Sequence, residues 1–166
     1  VFCAGHNLKD LNSKRSENDN GEHYYKKLFQ MCSELMISIN KHSKPVIAMI
    51  DGIATAAGCQ LISSCDLAYS SENSQFATPG VNIGLFCSTP MVPLSRTVGK
   101  KQAMEMLLTG DLIDAKKALS IGLINNVFET AKLEENVLKI ANKIASKSSA
   151  TIKIGKDAFY KQKDMS

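Results

Sequence analysis

An apolar run that passes through a few small residues into a helix constrains the fold most. The run PVIAMIDG carries no charge before Asp51 and is bounded by Pro45 and Gly52, which is typical of a strand buried on both faces. The next stretch, GIATAAGCQLISS, predicts a short helix that begins at Ala56 or Ala57. A buried strand that leads directly into a helix is characteristic of α/β proteins, in which helices cover a largely parallel sheet.

The rest of the sequence repeats this alternation. Apolar side chains at spacings of three and four predict a helix from Tyr24 to about Lys41, after a polar stretch that predicts an exposed loop or short helix. Short strands are predicted in VFCAG, CDLAYSS and SQFAT and after Gly122, and a loop in PGVNIGLFCSTP. Helices fill most of the remainder, with a break at Gly99 and a C-terminal cap at Gly110. We therefore predict an α/β fold with crossover connections.

Composition limits the classes of partner. The chain has 166 residues, 44% of them hydrophobic, which is enough for one domain with a single core, and we predict one domain over residues 1–166. The net charge of +4 is spread without a basic block longer than a pair, which argues against nucleic acid as a partner. A mild positive balance suits a small anionic ligand, although ordinary solubilising surface lysines are the better account of the charge taken alone. No apolar run approaches membrane-spanning length.

Cysteine and histidine usage argues against disulfides and metals. The five cysteines are odd in number and form no CxxC pair, which favours a reducing compartment without a disulfide framework or a zinc site. The histidines lack metal-ligand spacing, so we predict no metal. Cys59 and Cys87 are candidate nucleophiles, but their apolar neighbours favour inert core thiols. The residues concerned are Cys3, Cys32, Cys59, Cys65 and Cys87, with His6, His23 and His42.

Two small-residue turns could present backbone amides to a ligand. The first amides of a helix have no acceptor within the helix, and the helix dipole adds partial positive charge there. The bare turn before Ala57 would let a polarised oxygen approach them. A second turn, FCAGHNLKD, opens through Ala4 and Gly5 and would offer the amide of His6 from another direction. Together they would form an oxyanion hole; separately, each is an ordinary tight turn.

Four segments resemble one known family. AGHNLKDL, PVIAMIDGIATAAGCQLISSCDLAYSSENSQFATPGVNIGL, AMEMLLTGDLIDAKKALSIGLINNV and LKIANKIASKS are similar to the crotonase, or enoyl-CoA hydratase/isomerase, superfamily. The resemblance implies a crotonase-like ββα spiral followed by helices, usually assembled as trimers or hexamers. It also implies that the family's first strands and closing helices are missing, so we expect a piece of a longer domain.

The resemblance also implies a ligand and its site. Family members bind acyl-CoA thioesters in fatty acid metabolism, and the thioester is substrate or ligand, so no separate cofactor is expected. The matching positions make His6 and Ala57 the oxyanion-hole amides. The expected CoA- and substrate-binding residues are His6, Asn7, Leu8, Lys9, Ala57 and Gly58. The compartment implied is the mitochondrial matrix in a eukaryote and the cytoplasm in a bacterium.

The sequence departs from the family at both catalytic glutamates of its hydratases. Gln60 occupies the first position and Gly80 the second. Neither residue accepts a proton at neutral pH, because an amide has no useful basicity and glycine has no side chain. The single glutamate that serves the family's isomerases is missing too. Gln60 either orients a water or substrate group or packs in the helix, and His6 is a candidate acid or base that could equally stabilise its loop.

Three functions stay open at this point. The first is a lyase-like or isomerase-like enzyme that forms a thioester enolate, for example by decarboxylating a malonyl-type thioester; FCAGHNL is similar to the corresponding segment of methylmalonyl-CoA decarboxylases. The second is an acyl-CoA sensor or regulatory protein without catalysis. The third is a hydratase of low activity, in which Gln60 and backbone groups alone activate water.

Overall fold

A computed structural model describes residues 1–163, which form two small sheets surrounded by helices. The helices are α1 (Leu8–Ser13), α2 (Glu22–Lys41), α3 (Ala57–Ser64), α4 (Ser88–Thr97), α5 (Lys100–Thr109), α6 (Ala115–Ser120), α7 (Leu133–Ala145) and α8 (Ser149–Lys163). The strands are β1 (Ile47–Ile50), β2 (Ile53–Thr55), β3 (Leu67–Ser71), β4 (Gln75–Ala77), β5 (Ile113–Asp114) and β6 (Asn126–Phe128). Short 3-10 turns cover Lys14–Ser16, Pro79–Ile83 and Thr130–Lys132.

The sheet topology confirms the predicted α/β class. One sheet has the order β1-β3-β6 with both pairs parallel, and the other has the order β2-β4-β5, in which β2 and β4 are parallel and β4 and β5 antiparallel. Parallel neighbours need long crossover connections, which the helices supply. In the order of the chain, β1 and β2 therefore lie in different sheets, and α3 begins directly after β2.

The main core lies between the sheets and helices α3 to α6. Its fully buried side chains include Ile50, Ile62, Phe76 and Leu94. A smaller cluster packs Tyr69 against α7. Phe76 and Tyr69 are core residues, because both lie on strands whose inner faces are covered by helices. Within residues 1–163, no helix is both long and apolar enough to cross a membrane.

Three local predictions need correction. Met49 in β1 is 41% exposed, so this strand is buried on one face rather than both. The predicted loop after Thr78 begins as a 3-10 turn, and α4 starts at Ser88, ahead of Pro90. Proline fits the first turn of a helix, because the amide it lacks would have no partner there. The predicted strand VFCAG is reduced to a single bridge between Cys3 and Ala54.

A buried charged group fixes α8 to the sheet. Lys156 Nζ lies 2.6 Å from Asp66 Oδ2 and also donates to the carbonyl of Ile39 at the end of α2. The Tyr160 hydroxyl donates to Asp66 Oδ1 at 2.9 Å. Burial and this hydrogen bond to a carboxylate raise the pKa of Tyr160 above its usual range. These contacts give Asp66 a structural role.

Candidate functional site

The N-terminal segment lies beside β2 and brings its turn to the start of α3. Thr55 N–H donates to the Cys3 carbonyl at 2.9 Å, and the Thr55 hydroxyl donates to the Ala4 carbonyl at 3.3 Å. Gly5 follows with φ +88°. A β-carbon on Gly5 would lie only 3.2 Å from the nitrogen of Ala57. The two turns that the sequence analysis singled out therefore meet in space.

The backbone before Ala57 is strained. Ala56 has φ 51° and ψ −116°, outside the regions that alanine normally occupies. Its amide donates to the Ala77 carbonyl at 3.0 Å, which fixes this conformation against β4. Strain of this kind costs about 1 to 3 kcal/mol and concentrates at functional sites.

The main-chain amides at the meeting point have no partner in the chain. Within residues 1–163, neither the amide of His6 nor that of Ala57 donates a hydrogen bond. Ala57 is the first residue of α3, so its amide has no acceptor inside the helix. Both residues are half-buried. Unpaired amides beside a strained residue are suited to receive an oxygen atom from a ligand.

Gly58 has a structural reason to lack a side chain. A β-carbon there would lie 2.2 Å from the Cys3 carbonyl oxygen and 3.0 Å from the Cys3 carbonyl carbon. From the sequence, the small residues of this turn were expected to make room for a ligand. At Gly58 the group that approaches is the chain's own backbone, and this contact holds the N-terminal turn against α3.

The residues after Gly5 form the outer side of this site. The His6 ring packs edge-on against Phe29, with ring centroids 5.6 Å apart. Asn7 caps α1, because its side-chain oxygen accepts from the Lys9 amide at 3.0 Å. Leu8 and Lys9 are exposed. The helix start thus places His6 to Lys9 at the surface next to the turn, and their role as ligand contacts stays a prediction.

Gln60 is buried close to the same turn, one helical turn beyond Ala57. It is 5% exposed, and its Oε1 lies 3.9 Å from the Cys32 sulfur of α2. The amide Nε2 makes no hydrogen bond within residues 1–163. Burial raises the pKa of the Cys32 thiol, which keeps it neutral. Neither side chain therefore supplies a base.

At Gly80, the position of the second family glutamate, the folded loop leaves no space for a side chain. Gly80 N–H donates to the Cys87 sulfur at 3.3 Å, and the Gly80 carbonyl accepts from Leu85 N–H at 2.9 Å. A β-carbon on Gly80 would lie 2.6 Å from the Leu85 carbonyl oxygen and 2.8 Å from the Cys87 sulfur. The loop leaves no room for any side chain here, which sequence reasoning missed because the contacts depend on how the loop folds back.

The two candidate nucleophilic thiols are core residues. Cys59 is fully buried with its sulfur 3.2 Å from the Ala54 carbonyl, and burial raises its pKa to about 12. A protonated thiol is a poor nucleophile. Cys87 is buried beside Gly80. In the part of the chain that the structure describes, no group of three His, Cys, Asp or Glu side chains is placed to hold a metal ion.

A cavity of about 740 Å³ lies behind Gln60, between α2, α3, α4 and α8. Gln60 stands on its wall, whereas His6 and Ala57 do not line it. Sequence reasoning missed this cavity, because its walls come from helices far apart in the chain. The sequence signal that could have indicated it is the pair of small polar residues on the covered face of α3, Ser63 and Ser64.

The comparisons with known proteins establish the family. The family profile described as Enoyl-CoA hydratase/isomerase matches residues 1–166. The chain therefore belongs to the enoyl-CoA hydratase/isomerase family, and the resemblance predicted from its motifs is confirmed.

Individual relatives agree with this membership. The chain is 52% identical to the mitochondrial enoyl-CoA hydratase domain-containing protein 3 of Rattus norvegicus, over 98% of this chain and 52% of that protein. It is 40% identical to a short-chain-enoyl-CoA hydratase of Clostridium acetobutylicum, over 70% of this chain and 45% of that protein. The chain thus spans about half the length of these curated relatives.

Solved structures share the fold. The human enoyl Coenzyme A hydratase domain-containing protein 3 superimposes with a TM-score of 0.92 at 51% identity, covering 100% of this chain and 64% of that one. An enoyl-CoA hydratase of Mycobacterium smegmatis gives a TM-score of 0.93 at 45% identity, covering 100% and 63%. The crotonase-like fold predicted from the sequence is therefore confirmed.

Proposed function

We propose that this chain binds acyl-CoA thioesters and holds the thioester carbonyl between the main-chain amides of His6 and Ala57. The observation that carries the proposal is the approach of Gly5 to the Ala57 nitrogen, beside the strained Ala56. CoA would lie along His6, Asn7, Leu8 and Lys9 and over Ala57 and Gly58. The thioester itself is the ligand, and no separate cofactor is required.

Such a site would stabilise an enolate. Negative charge develops on the thioester oxygen when an α-proton or an α-carboxylate leaves, or when a nucleophile adds at the β-carbon. Fixed amides favour that charge without reorganisation, and removal of one donor typically raises the barrier by roughly 3 to 4 kcal/mol.

Two-glutamate hydration is not supported by the residues present. Gln60 has no proton to exchange at neutral pH, and Gly80 is enclosed by Leu85 and Cys87. Decarboxylation of a malonyl-type thioester fits better, because the bond from the α-carbon to the carboxylate breaks and its electron pair forms the enolate without any base. Water then protonates the α-carbon.

A non-catalytic acyl-CoA sensor is the second candidate. The observation that favours it is the enclosure of position 80, since the loop is built around the missing side chain rather than left open. Binding without turnover would distinguish a sensor from an enzyme.

The assembly and compartment are proposals from the relatives. The family suggests a homotrimer or hexamer, and the names of the mammalian relatives suggest the mitochondrial matrix for a eukaryotic protein. For a bacterial protein the cytoplasm would be the compartment.

The test is thioester binding and turnover by the intact protein. We expect butyryl-CoA to bind in calorimetry, methylmalonyl-CoA to be decarboxylated if the protein is an enzyme, and crotonyl-CoA to be hydrated far more slowly than a median enzyme turns over its substrate. Rapid hydration of crotonyl-CoA would refute the assignment of Gln60 and Gly80.

A matched pair of variants tests the site itself. Gly5→Ala places a methyl group 3.2 Å from the Ala57 nitrogen, whereas Gly122→Ala introduces a comparable positive-φ strain, φ +80°, with no atom within 4 Å. We expect butyryl-CoA binding to be lost in Gly5→Ala and kept in Gly122→Ala. Equal affinities in the two variants would overturn the proposed site.

A further inference from the structure

The wall of the cavity behind Gln60 follows α2 from Ser33 to Lys41 and α4 from Thr89 to Thr97. We call the part of the wall at the ends of these two helices, beside Lys41 and Arg96, the far end. With a rise of 1.5 Å per residue, Ser33 to Lys41 spans about 12 Å and Thr89 to Arg96 about 10 Å. The wall between the two ends is mainly apolar and includes Met36, Ile37, Val92, Pro93 and Ile154.

Positive charge collects at the far end of the cavity. Lys156 Nζ donates to the Ile39 carbonyl at the end of α2, and Lys163 Nζ donates to the Arg96 carbonyl at the end of α4. These contacts place α8 across the far end. The basic residues on the wall are Lys41, Arg96, Lys153, Lys156, Lys161 and Lys163.

Acidic side chains balance only some of this charge. Asp66 pairs with Lys156, and Asp157 pairs with Lys161, each at 2.6 Å. Within residues 1–163, Lys41 and Lys153 have no carboxylate partner, and Asp157 is the one carboxylate on the cavity wall. Among the described residues, Lys41 and Lys153 therefore leave unbalanced positive charge beside apolar walls.

Polar atoms near Gln60 also lack partners. Gln60, which is 95% buried, makes no hydrogen bond through its Nε2 within residues 1–163. The hydroxyl of Ser63, another residue of the wall, is buried without a partner in the same described region. Buried polar groups are normally satisfied, so the Ser63 hydroxyl indicates that something polar joins it when the site is filled.

We infer that the cavity receives the acyl chain of the thioester and that this chain ends in a carboxylate; the inference rests on the proposed function. The ligand class is thus a dicarboxylic acyl-CoA. Its methylene groups contact the apolar wall, and its terminal carboxylate meets Lys41 and Lys153 in charge-assisted hydrogen bonds. The volume lies within the range of roughly 300 to 1,000 Å³ that is usual for small-molecule sites.

The experiment compares two thioesters of equal chain length with the intact protein. Suberyl-CoA ends in a carboxylate and octanoyl-CoA in a methyl group, and their CoA portions are identical. We expect suberyl-CoA to bind about tenfold more tightly in isothermal titration calorimetry. The preference falls as salt is added, because the lysines are only partly shielded from solvent.

Three single variants locate the effect. Lys41→Gln and Lys153→Gln are expected to bring the two affinities within about threefold of each other, mainly by weakening suberyl-CoA. Lys116→Gln, at an exposed residue of α6 outside the cavity, should keep the full preference.

Other outcomes overturn the inference in distinguishable ways. If octanoyl-CoA binds as tightly as suberyl-CoA, the carboxylate end is wrong while the proposed function stands. If the lysine variants weaken both thioesters equally, these lysines hold the phosphates of CoA and the inference is wrong. If neither thioester binds, the proposed function fails and the inference fails with it.

Discussion

The turn at 56–60 and the loop at 79–87 differ in whether their backbone groups have hydrogen-bond partners and in how much space surrounds them. At the turn, the amide of Ala57 has no partner in the described chain and Ala56 is held in a strained conformation. In the loop, the Gly80 amide and carbonyl are both hydrogen-bonded, and Leu85 and Cys87 fill the adjacent space. Among residues 1–163, the turn at 56–60 thus has an unpaired backbone amide, whereas the loop at 79–87 has neither an unpaired group at Gly80 nor space beside it.

This difference separates binding from proton transfer. The position of a backbone amide is set by the strand and helix around it, so it is kept as long as these elements form. A catalytic side chain depends on one residue and on the space around it. At Gly80 this chain has neither a side chain nor space for one, whereas the Ala57 amide has no partner among the described residues.

The largest expected loss of stability comes from a substitution at Gly58. Gly58→Ala places a β-carbon 2.2 Å from the Cys3 carbonyl oxygen, and because this is backbone against backbone the turn must shift. We expect the free energy of unfolding to fall by about 3 kcal/mol in urea denaturation.

A second glycine serves as the control for Gly58. Gly155→Ala in α8 meets nothing within 4 Å and should raise stability by about 0.5 to 1 kcal/mol, since alanine favours a helix. If Gly58→Ala behaved like Gly155→Ala, the close approach of the N-terminal turn to α3 would be wrong.

The next largest loss of stability is expected from a substitution at Gly80, which tests whether the loop at 79–87 is closed. Gly80→Ala would meet the Leu85 carbonyl at 2.6 Å, and we expect a loss of about 2 kcal/mol in the free energy of unfolding. In a Cys87→Ala background the loss should shrink but persist, because the carbonyl remains. Unchanged stability in thermal melts of Gly80→Ala would show that the loop has spare room and would remove the contrast between the two regions.

A smaller effect is expected from restoring the first glutamate. Gln60→Glu buries a carboxyl group without a cationic partner, which should cost about 1 to 2 kcal/mol at neutral pH. Burial raises the pKa of such a carboxyl in the folded state, so the deficit should shrink as the pH falls towards the unfolded value. Denaturation of both proteins across acidic pH checks this.

The same variant also tests the contrast in activity. Gln60→Glu alone should not hydrate crotonyl-CoA at the rate of a two-glutamate enzyme, because position 80 still supplies no second group. Full hydration by this single variant would mean that the closed loop is irrelevant to proton transfer.

The smallest effect concerns the contact beside Gln60. Cys32→Ser replaces a thiol whose sulfur lies 3.9 Å from Gln60 Oε1, a separation at which a hydrogen bond is weak. We expect stability to change by no more than about 0.5 kcal/mol in urea denaturation. A loss several times larger would mean that the thiol, rather than packing, positions Gln60.

Sequence patterns predicted the elements whose signals are local. The spacing of apolar residues indicated α2, and small residues before a helical pattern indicated that α3 starts at Ala56 or Ala57; it starts at Ala57. Gly99 and Gly110 bound α5 as predicted, because a break and a left-handed C-terminal residue depend only on neighbouring positions.

Features made by distant segments could not be predicted in this way. The predicted N-terminal strand forms only one bridge, at Cys3, because its length depends on how many backbone groups of β2 are available for pairing. The enclosure of Gly80 depends on the folded path of its loop. The cavity depends on Lys156 reaching Asp66 across 90 positions of the chain, which no local pattern records.

The Lys156 contact determines how firmly α8 is held as a wall of the cavity. Its ammonium and the Asp66 carboxylate have exposed fractions of 8% and 15%, so moving α8 outwards would separate a pair of desolvated charges. Removing either partner of such a pair costs about 3 to 5 kcal/mol, because the other charge is left buried and unpaired. The part of the cavity wall that α8 contributes therefore depends on Lys156 and Asp66 together.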